Sequence, residues 1–173
     1  MKEISEIVKA IDELGTGERA VLATVVDLQG SGYRLPGARM LILSDGRTVG
    51  TVSGGCLEAD VLERSNRVLT EGRPEIFTYD TTGDENSVFS MNMGCRGVIR
   101  ILLEAIDGQS ALIKRARLAV NERETQIIAT LISGGDAVGG RAFLSESLGY
   151  ESDVSPTFCD PALIENALRD FAN

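Results

Sequence analysis

Apolar positions recur along this chain with two periods, and the change from one period to the other outlines its elements. Ile4, Ile7, Val8, Ile11 and Leu14 share one face at helical spacing, with Gly15 and Gly17 beyond them as a stop, so the chain opens with an amphipathic helix. Ala20 to Val26 then reads as a buried strand. The loop Gly30-Ser31-Gly32-Tyr33-Arg34-Leu35-Pro36-Gly37 leads into a second strand, Ala38 to Leu43. The turn Ser44-Asp45-Gly46, whose Asp-Gly step is a hairpin signal, leads into a short third, Arg47 to Val52. Leu57, Val61, Leu62, Val68 and Leu69 predict a helix from about Gly55 to Thr70, ended by Gly72. Glu75 to Tyr79 and Val98 to Glu104 read as strands, separated by a long polar loop from Asp80 to Met91, and long loops in compact domains are often functional. A helix over Ser110 to Val120 and strands at Gln126 to Ile132 and Arg141 to Leu144 follow. The last helix has Asp160 as N-cap and Pro161 at its first position, ahead of Ile164, Ala167, Leu168 and Phe171.

Strand pairs that alternate with helices imply a mixed sheet with flanking helices, hence an α/β or α+β fold. Val21-Leu22-Ala23-Thr24-Val25-Val26 echoes Ile127-Ile128-Ala129-Thr130-Leu131-Ile132, and Gly37-Ala38-Arg39-Met40-Leu41 echoes Gly139-Gly140-Arg141-Ala142-Phe143. Each copy closes with an amphipathic helix. The echo reads either as a degenerate internal repeat or as the resemblance any two strand-loop-strand-helix units share.

The chain has 173 residues, 43% hydrophobic and 25% charged, which fits a single folded domain over 1–173 with a core that needs no disulfides. Three cysteines is an odd number, and the N-terminus Met1-Lys2-Glu3-Ile4-Ser5-Glu6 is charged and periodic rather than continuously apolar. Together they predict a reducing, cytoplasmic compartment. Glycine and proline interrupt every hydrophobic run well short of a membrane span. A net charge of −9 opposes binding to a nucleic-acid backbone. The chain has no histidine, which excludes Ser-His-Asp and Cys-His pairs and histidine metal sites; acid, base or metal chemistry must use Cys, Asp, Glu, Lys or Tyr.

Two cysteines sit beside glycines. Ser53-Gly54-Gly55-Cys56 opens a helix, and Met93-Gly94-Cys95-Arg96-Gly97 runs into a strand. Glycine permits close backbone approach to a ligand, and a helix N-terminus favours thiolate and binds anions. Either thiol alone reads more readily as a buried apolar cysteine beside a tight turn; the two together shift the balance toward a site. With three glycines ahead of Arg39 and two arginines, Arg34 and Arg39, the loop over residues 30–39 is a candidate anion cradle, although it is neither a P-loop nor Gly-x-Gly-x-x-Gly. Arg96 reads as a thiolate or phosphate contact, or as an exposed arginine at a strand start. Glu58 reads as a first-turn carboxylate that favours the helix end. Cys159, before the last helix, reads as structural.

Four segments in order, Gly30-Ser31-Gly32-Tyr33-Arg34-Leu35-Pro36-Gly37-Ala38-Arg39-Met40, Ser53-Gly54-Gly55-Cys56-Leu57-Glu58, Tyr79-Asp80-Thr81-Thr82 and Gly94-Cys95-Arg96-Gly97-Val98-Ile99, resemble the successive motifs of the XdhC/CoxI family. The resemblance is strong over residues 1–106 and weaker over 107–173. It implies an accessory protein, rather than an enzyme, of molybdenum hydroxylases such as xanthine dehydrogenase and carbon monoxide dehydrogenase. Such a protein binds molybdenum cofactor (molybdopterin) transiently, protects it while its terminal sulfur is installed, and passes it to the apo-enzyme. A cysteine desulfurase is a further candidate partner on this resemblance; a homo-oligomer stays open, since exposed strand edges cannot be located from sequence.

On this resemblance Cys56 is the thiol nearest the molybdenum and Cys95 the second candidate. Arg34, Arg39, Arg96, Ser53 and the Gly54-Gly55 backbone are then cofactor contacts, soft thiolate suiting the metal. Two features depart from the family: Arg96 stands where members carry Gly or Asn, and no Rossmann-like strand-glycine-helix unit precedes Asn173, which reads as a short paralogue or part of a longer chain. Two other functional classes stay open: a module that docks on a molybdoenzyme without cofactor, and a small thiol-dependent enzyme.

Overall fold

The computed structural model describes residues 2–82 and 96–172. It divides into two compact units, Met1–Gln109 and Ser110–Asn173, where the sequence reads as one domain in a stronger and a weaker part. Cys95 and most of the loop expected over 80–91 lie outside the described residues. Among the described residues the fold is α/β, with two sheets and four α-helices. No helix among the described residues is long and apolar enough to cross a membrane.

The first unit contains α1 (Lys2–Asp12), β1 (Ala20–Gly30), β2 (Arg39–Ile42), β3 (Thr48–Gly50), α2 (Glu58–Glu71), β4 (Glu75–Asp80) and β5 (Gly97–Ile106). Its sheet has the order β3-β2-β1-β5-β4, and every neighbouring pair is antiparallel. Helices cover the sheet on α1's side at β2 and β3 and on α2's side at β1 and β5, which is why central strands read as near-continuous apolar runs. Val21, Ala23, Val25, Ile99, Ile101 and Leu103 point into one core with Val61 and Val68 of α2.

The strand expected to end at Val26 continues to Gly30. Ladder bonding to β5 along the whole length, with one irregularity between Val25 and Asp27, carries it past its apolar segment. Helix α2 ends at Gly72, whose φ of 69° lets its N–H reach Val68 O at 2.9 Å.

The second unit contains α3 (Ala111–Asn121), β6 (Ile127–Thr130), β7 (Arg141–Ser145), β8 (Gly149–Ser152) and α4 (Pro161–Ala172). Its sheet has the order β6-β7-β8. The echo in the sequence corresponds to a repeat in structure. Thr24 stands opposite Arg39 as Thr130 stands opposite Arg141, and Met40 faces Gly50 as Ala142 faces Ser152. Both copies carry the same β-bulge: Val25 bonds Ala38 O and Gly37 N–H at 2.9 and 2.8 Å, and Leu131 bonds Gly140 O and Gly139 N–H at 2.8 and 2.9 Å. Gly37 and Gly139 take φ of 94° and 86°, the left-handed conformation this bulge requires. The closing helix begins two residues after a cysteine in each copy, Cys56 before Glu58 and Cys159 before Pro161. Strand β8, unread in the sequence, is the counterpart of β3.

The second unit is organised around a buried cation rather than a large apolar core. Arg115, 1% exposed, reaches Ser145 Oγ and Glu151 Oε2 at 2.9 Å each and lies 5.3 Å from the Phe143 ring centroid, tying α3 to β7 and β8. Asp160 Oδ1 accepts the Ala162 N–H at 2.9 Å, the N-cap expected from the sequence.

Arg123, just past α3, holds a φ of 56° and is the one non-glycine residue with positive φ among the described residues. A left-handed residue there is normally glycine, so Arg123→Gly is expected to raise stability by about 0.5–1 kcal/mol in urea unfolding. A loss of stability would show that the Arg123 side chain contributes more than its backbone strain costs.

Candidate functional site

In the first unit the sequence motifs are brought together by backbone contacts at one end of the β1–β5 pair. The last ladder pair is Gly30 opposite Gly97. Beyond it the Ser31 N–H donates to Arg96 O at 2.9 Å, and the Arg96 N–H donates to Ser31 Oγ at 2.9 Å. On the other side of β5 the Thr81 N–H and hydroxyl both donate to Gly97 O, at 3.0 and 2.8 Å, while the Gly97 N–H donates to Thr81 Oγ1 at 2.9 Å. A Cβ on Gly97 would stand 2.6 Å from Ser31 O and 2.7 Å from Gln29 O, so only glycine fits this crossing. Three of the four motifs thus meet at residue 97.

The cysteine loop is held by Glu58. Its carboxylate accepts the Thr51 hydroxyl at 2.5 Å, the Ser53 N–H at 3.0 Å and the Ser53 hydroxyl. Ser53 Oγ in turn accepts the N–H groups of Gly55 and Leu57, each at 3.1 Å. Side-chain acceptors therefore take over the backbone donors that a first helical turn would leave open, and α2 starts at Glu58 rather than near Gly55. Burial works against the Glu58 charge, yet the Ser53 and Thr51 hydroxyls hold its carboxyl below the usual carboxylate range. The result is a pinned loop whose tip, Gly54-Gly55-Cys56, is exposed. The Cys56 thiol is free of any disulfide and has no hydrogen-bond partner among the described residues.

Tyr33 joins this loop to the first. Its ring lies against Gly54, where an added Cβ would be 3.1 Å from the ring carbon Cγ. The ring is nonetheless 74% exposed and Leu35, two residues on, is 72% exposed, so the first loop presents aromatic and aliphatic surface, the aromatic part against Gly54.

The arginines have different roles. Arg34 is ion-paired with Glu3 of α1, and the same carboxylate accepts the Arg39 N–H at 3.0 Å. The Arg39 guanidinium donates to Gly37 O at 2.9 Å. Both side chains expected to contact an anion are therefore occupied in holding the loop to the first helix. Arg96 is clamped through its backbone and exposed. Ser53, only 3% exposed, organises the loop from beneath instead of facing a ligand.

One cluster was not anticipated. Asp60 accepts the Tyr79 hydroxyl and Arg64 Nε, each at 2.6 Å, and Arg64 covers the Phe77 ring with 4.5 Å to its centroid. Burial and the neighbouring Asp60 push the Tyr79 phenol well above its ordinary range, so it stays a neutral donor that ties α2 to β4. The four-residue spacing of Asp60 and Arg64 was the available signal. Among the described residues no group of three or more Cys, Asp and Glu side chains could hold a metal ion.

Comparison with known proteins gives this arrangement a family. Residues 14–80 match the model of the XdhC and CoxI family. This segment belongs to that family. Over 89 residues the chain is 39% identical to a probable xanthine dehydrogenase subunit of Bacillus subtilis, covering 51% of this chain and 27% of that protein. Over 104 residues it is 33% identical to the molybdenum cofactor insertion chaperone PaoD of Escherichia coli, covering 60% of this chain and 32% of PaoD. A crystal structure of a xanthine dehydrogenase from Bacillus halodurans superimposes with a TM-score of 0.71 at 30% identity, covering 88% of this chain and 45% of the other. The chain thus spans about a quarter to a third of the curated relatives it matches. The XdhC/CoxI segment contains Tyr33, the Glu58 clamp and Cys56, while Thr81, Arg96 and Gly97 lie beyond it.

Two outcomes test this geometry. Gly97→Ala is expected to cost about 1–3 kcal/mol of stability in urea unfolding, because backbone rather than a movable side chain blocks the new methyl. For Glu58, a carboxyl depressed in the folded state contributes stability that is present above the unfolded pKa and lost as pH falls through the folded one. Acidification below the ordinary glutamate range should therefore lower the melting temperature of the wild type more than that of Glu58→Gln; equal slopes would remove the clamp from the account.

Proposed function

We propose that this chain holds molybdenum cofactor for a molybdenum hydroxylase of the xanthine dehydrogenase or carbon monoxide dehydrogenase type and hands it on. The observation that carries the reading is one exposed, unpartnered thiol, Cys56, on a loop that Glu58 and Ser53 hold fixed and that Tyr33 of the first motif packs against. The relative PaoD, described as a molybdenum cofactor insertion chaperone, supports it.

The donors present suit such a cargo. A thiol is a soft ligand for a group that carries molybdenum and sulfur. The N–H groups of Gly54 and Cys56, which have no partner among the described residues, and the exposed Arg96 suit its phosphate. Arg34, Arg39 and Ser53 act one step back, by holding the two loops. Cys56 has no acid or base bonded to it, which suits holding rather than turnover. The cofactor supplies the redox chemistry; this chain binds it, orients it and releases it to the apo-enzyme.

One observation favours a second reading. Tyr33 and Leu35 expose large apolar surface at the loop tip, which suits docking on a molybdoenzyme with or without cargo. Protein produced together with the cofactor pathway should yield the fluorescent oxidation product of the pterin, reduced at least tenfold in Cys56→Ala. Absence of signal from folded wild type, with capture of an apo-molybdoenzyme retained, would establish docking alone.

A further inference from the structure

The seat of Tyr33 on Gly54 involves one face of the ring. Unlike Gly55, whose φ is 107°, Gly54 does not adopt the left-handed conformation, so its backbone would accept a side chain. What excludes one is Tyr33. A Cβ on Gly54 would stand 3.1, 3.2 and 3.5 Å from the ring atoms Cγ, Cδ2 and Cδ1. Those three distances together fix the point above the ring face rather than at its edge. One face is therefore seated on the cysteine loop, and the 74% exposure of Tyr33 belongs to the opposite face and the outer end.

The chain on either side of the ring is anchored to three separate parts of the unit. Ser31 is bonded to the Arg96 backbone, a Cβ on Gly32 would meet Leu28 Cδ1 at 2.7 Å, and Arg34 is ion-paired with Glu3. Bridging the two loops does not by itself call for an open face. In the second unit Phe158, beside Cys159, bridges the corresponding loops by meeting Gly134, but it does so with Cζ and Cε at the far end of its ring and is 46% exposed. Tyr33 meets its glycine at the base of the ring and leaves the rest projecting.

We propose that the open face of Tyr33 is a stacking platform for the pterin of the molybdenum cofactor. The inference rests on the cofactor-holding reading above and adds to it the residue that receives the ring system. The cofactor has three chemically distinct parts: a metal held by sulfur, a phosphate, and a pterin whose pyrimidine ring is flat. The thiol, the loop N–H groups and Arg96 serve the first two. A flat heteroaromatic ring binds by stacking on an aromatic side chain, as nucleic-acid bases do, and a ring already fixed in place costs little ordering entropy. Tyr33 is two residues removed from each of the other donors. Gly54, under the ring, is two residues from Cys56 and so within about 7 Å of it. Ser31, two residues before Tyr33, is bonded to Arg96. An aliphatic side chain could cover the same area but offers no π-face.

The test uses the full chain produced with the cofactor pathway, purified and assayed for the fluorescent oxidation product of the pterin. Tyr33→Phe should keep the wild-type pterin content and Tyr33→Leu should lose about tenfold or more, with the melting temperature and the alkylation rate of Cys56 unchanged in the empty proteins. Full content in Tyr33→Leu overturns the platform and leaves the holding role in place; if capture of an apo-molybdoenzyme is lost in that variant, the ring is a docking surface instead. Equal losses in Tyr33→Phe and Tyr33→Leu also overturn it, by assigning the contact to the hydroxyl. A wild type without pterin removes the holding role and the platform together. If Tyr33→Leu disturbs the Cys56 loop, nuclear magnetic resonance of the wild type decides. The Tyr33 ring protons, assigned through Tyr33→Phe, should move upfield in loaded relative to empty protein, and an unchanged position overturns the proposal.

Discussion

The pairing of β1 with β5, running from Ala20 opposite Ile106 to Gly30 opposite Gly97, is the contact through which the first unit communicates with its own loops. It joins segments more than sixty residues apart in sequence, and burial of Ala20 to Ala23 and of Ile101 to Glu104 on both faces offsets the closure entropy. The junction of three of the motif segments hangs from its end. Ser31 reaches Arg96 because the ladder delivers Gly30 to Gly97, and Thr81 reaches the same residue because β4 lies on the far side of β5. Without that ladder the motifs would be separate loops.

A second constraint acts locally. The Glu58 carboxylate stays charged despite partial burial because two hydroxyls and one N–H compensate it, and through Ser53 it fixes two further N–H groups. The loop that carries Cys56 is therefore rigid at its base and open at its tip. Such an arrangement suits presentation: a thiol on a fixed loop costs little ordering entropy when it meets a ligand, and its exposure leaves a route for release. Tyr33, seated on Gly54, couples the first loop to this one without covering the thiol. The arginines that look like anion contacts in a linear reading are instead ion-paired or backbone-bonded, and their contribution is to keep that first loop against α1.

The two units show how one pattern serves two degrees of completeness. Register, bulge and the cysteine-to-helix step recur, but the added hairpin of β4 and β5 gives the first unit a five-stranded sheet and a core packed from both sides, while the second relies on Arg115 and its partners Ser145 and Glu151. A buried guanidinium with several acceptors holds geometry more than it adds stability.

Helix and strand positions were legible because local period and punctuation specify them: the apolar spacing in α1, Gly72 after α2, and Asp160-Pro161 ahead of α4 act within a turn of chain. The identity of the motif residues was legible for the same reason, and so was the echo between the two halves. What the linear pattern could not hold is which groups satisfy one another across the fold. The use of Glu3 by Arg34 and Arg39, the seat of Tyr33 on Gly54, the tie of Tyr79 to Asp60 and the extension of β1 to Gly30 are contacts between distant segments. α2 starts at Glu58, and ahead of it Ser53 Oγ accepts the N–H groups of Gly55 and Leu57 while Glu58 itself holds Ser53. Hydrophobic period determines where chain is buried; hydrogen-bond partners, which are chosen only once burial has brought segments together, determined what each polar residue does.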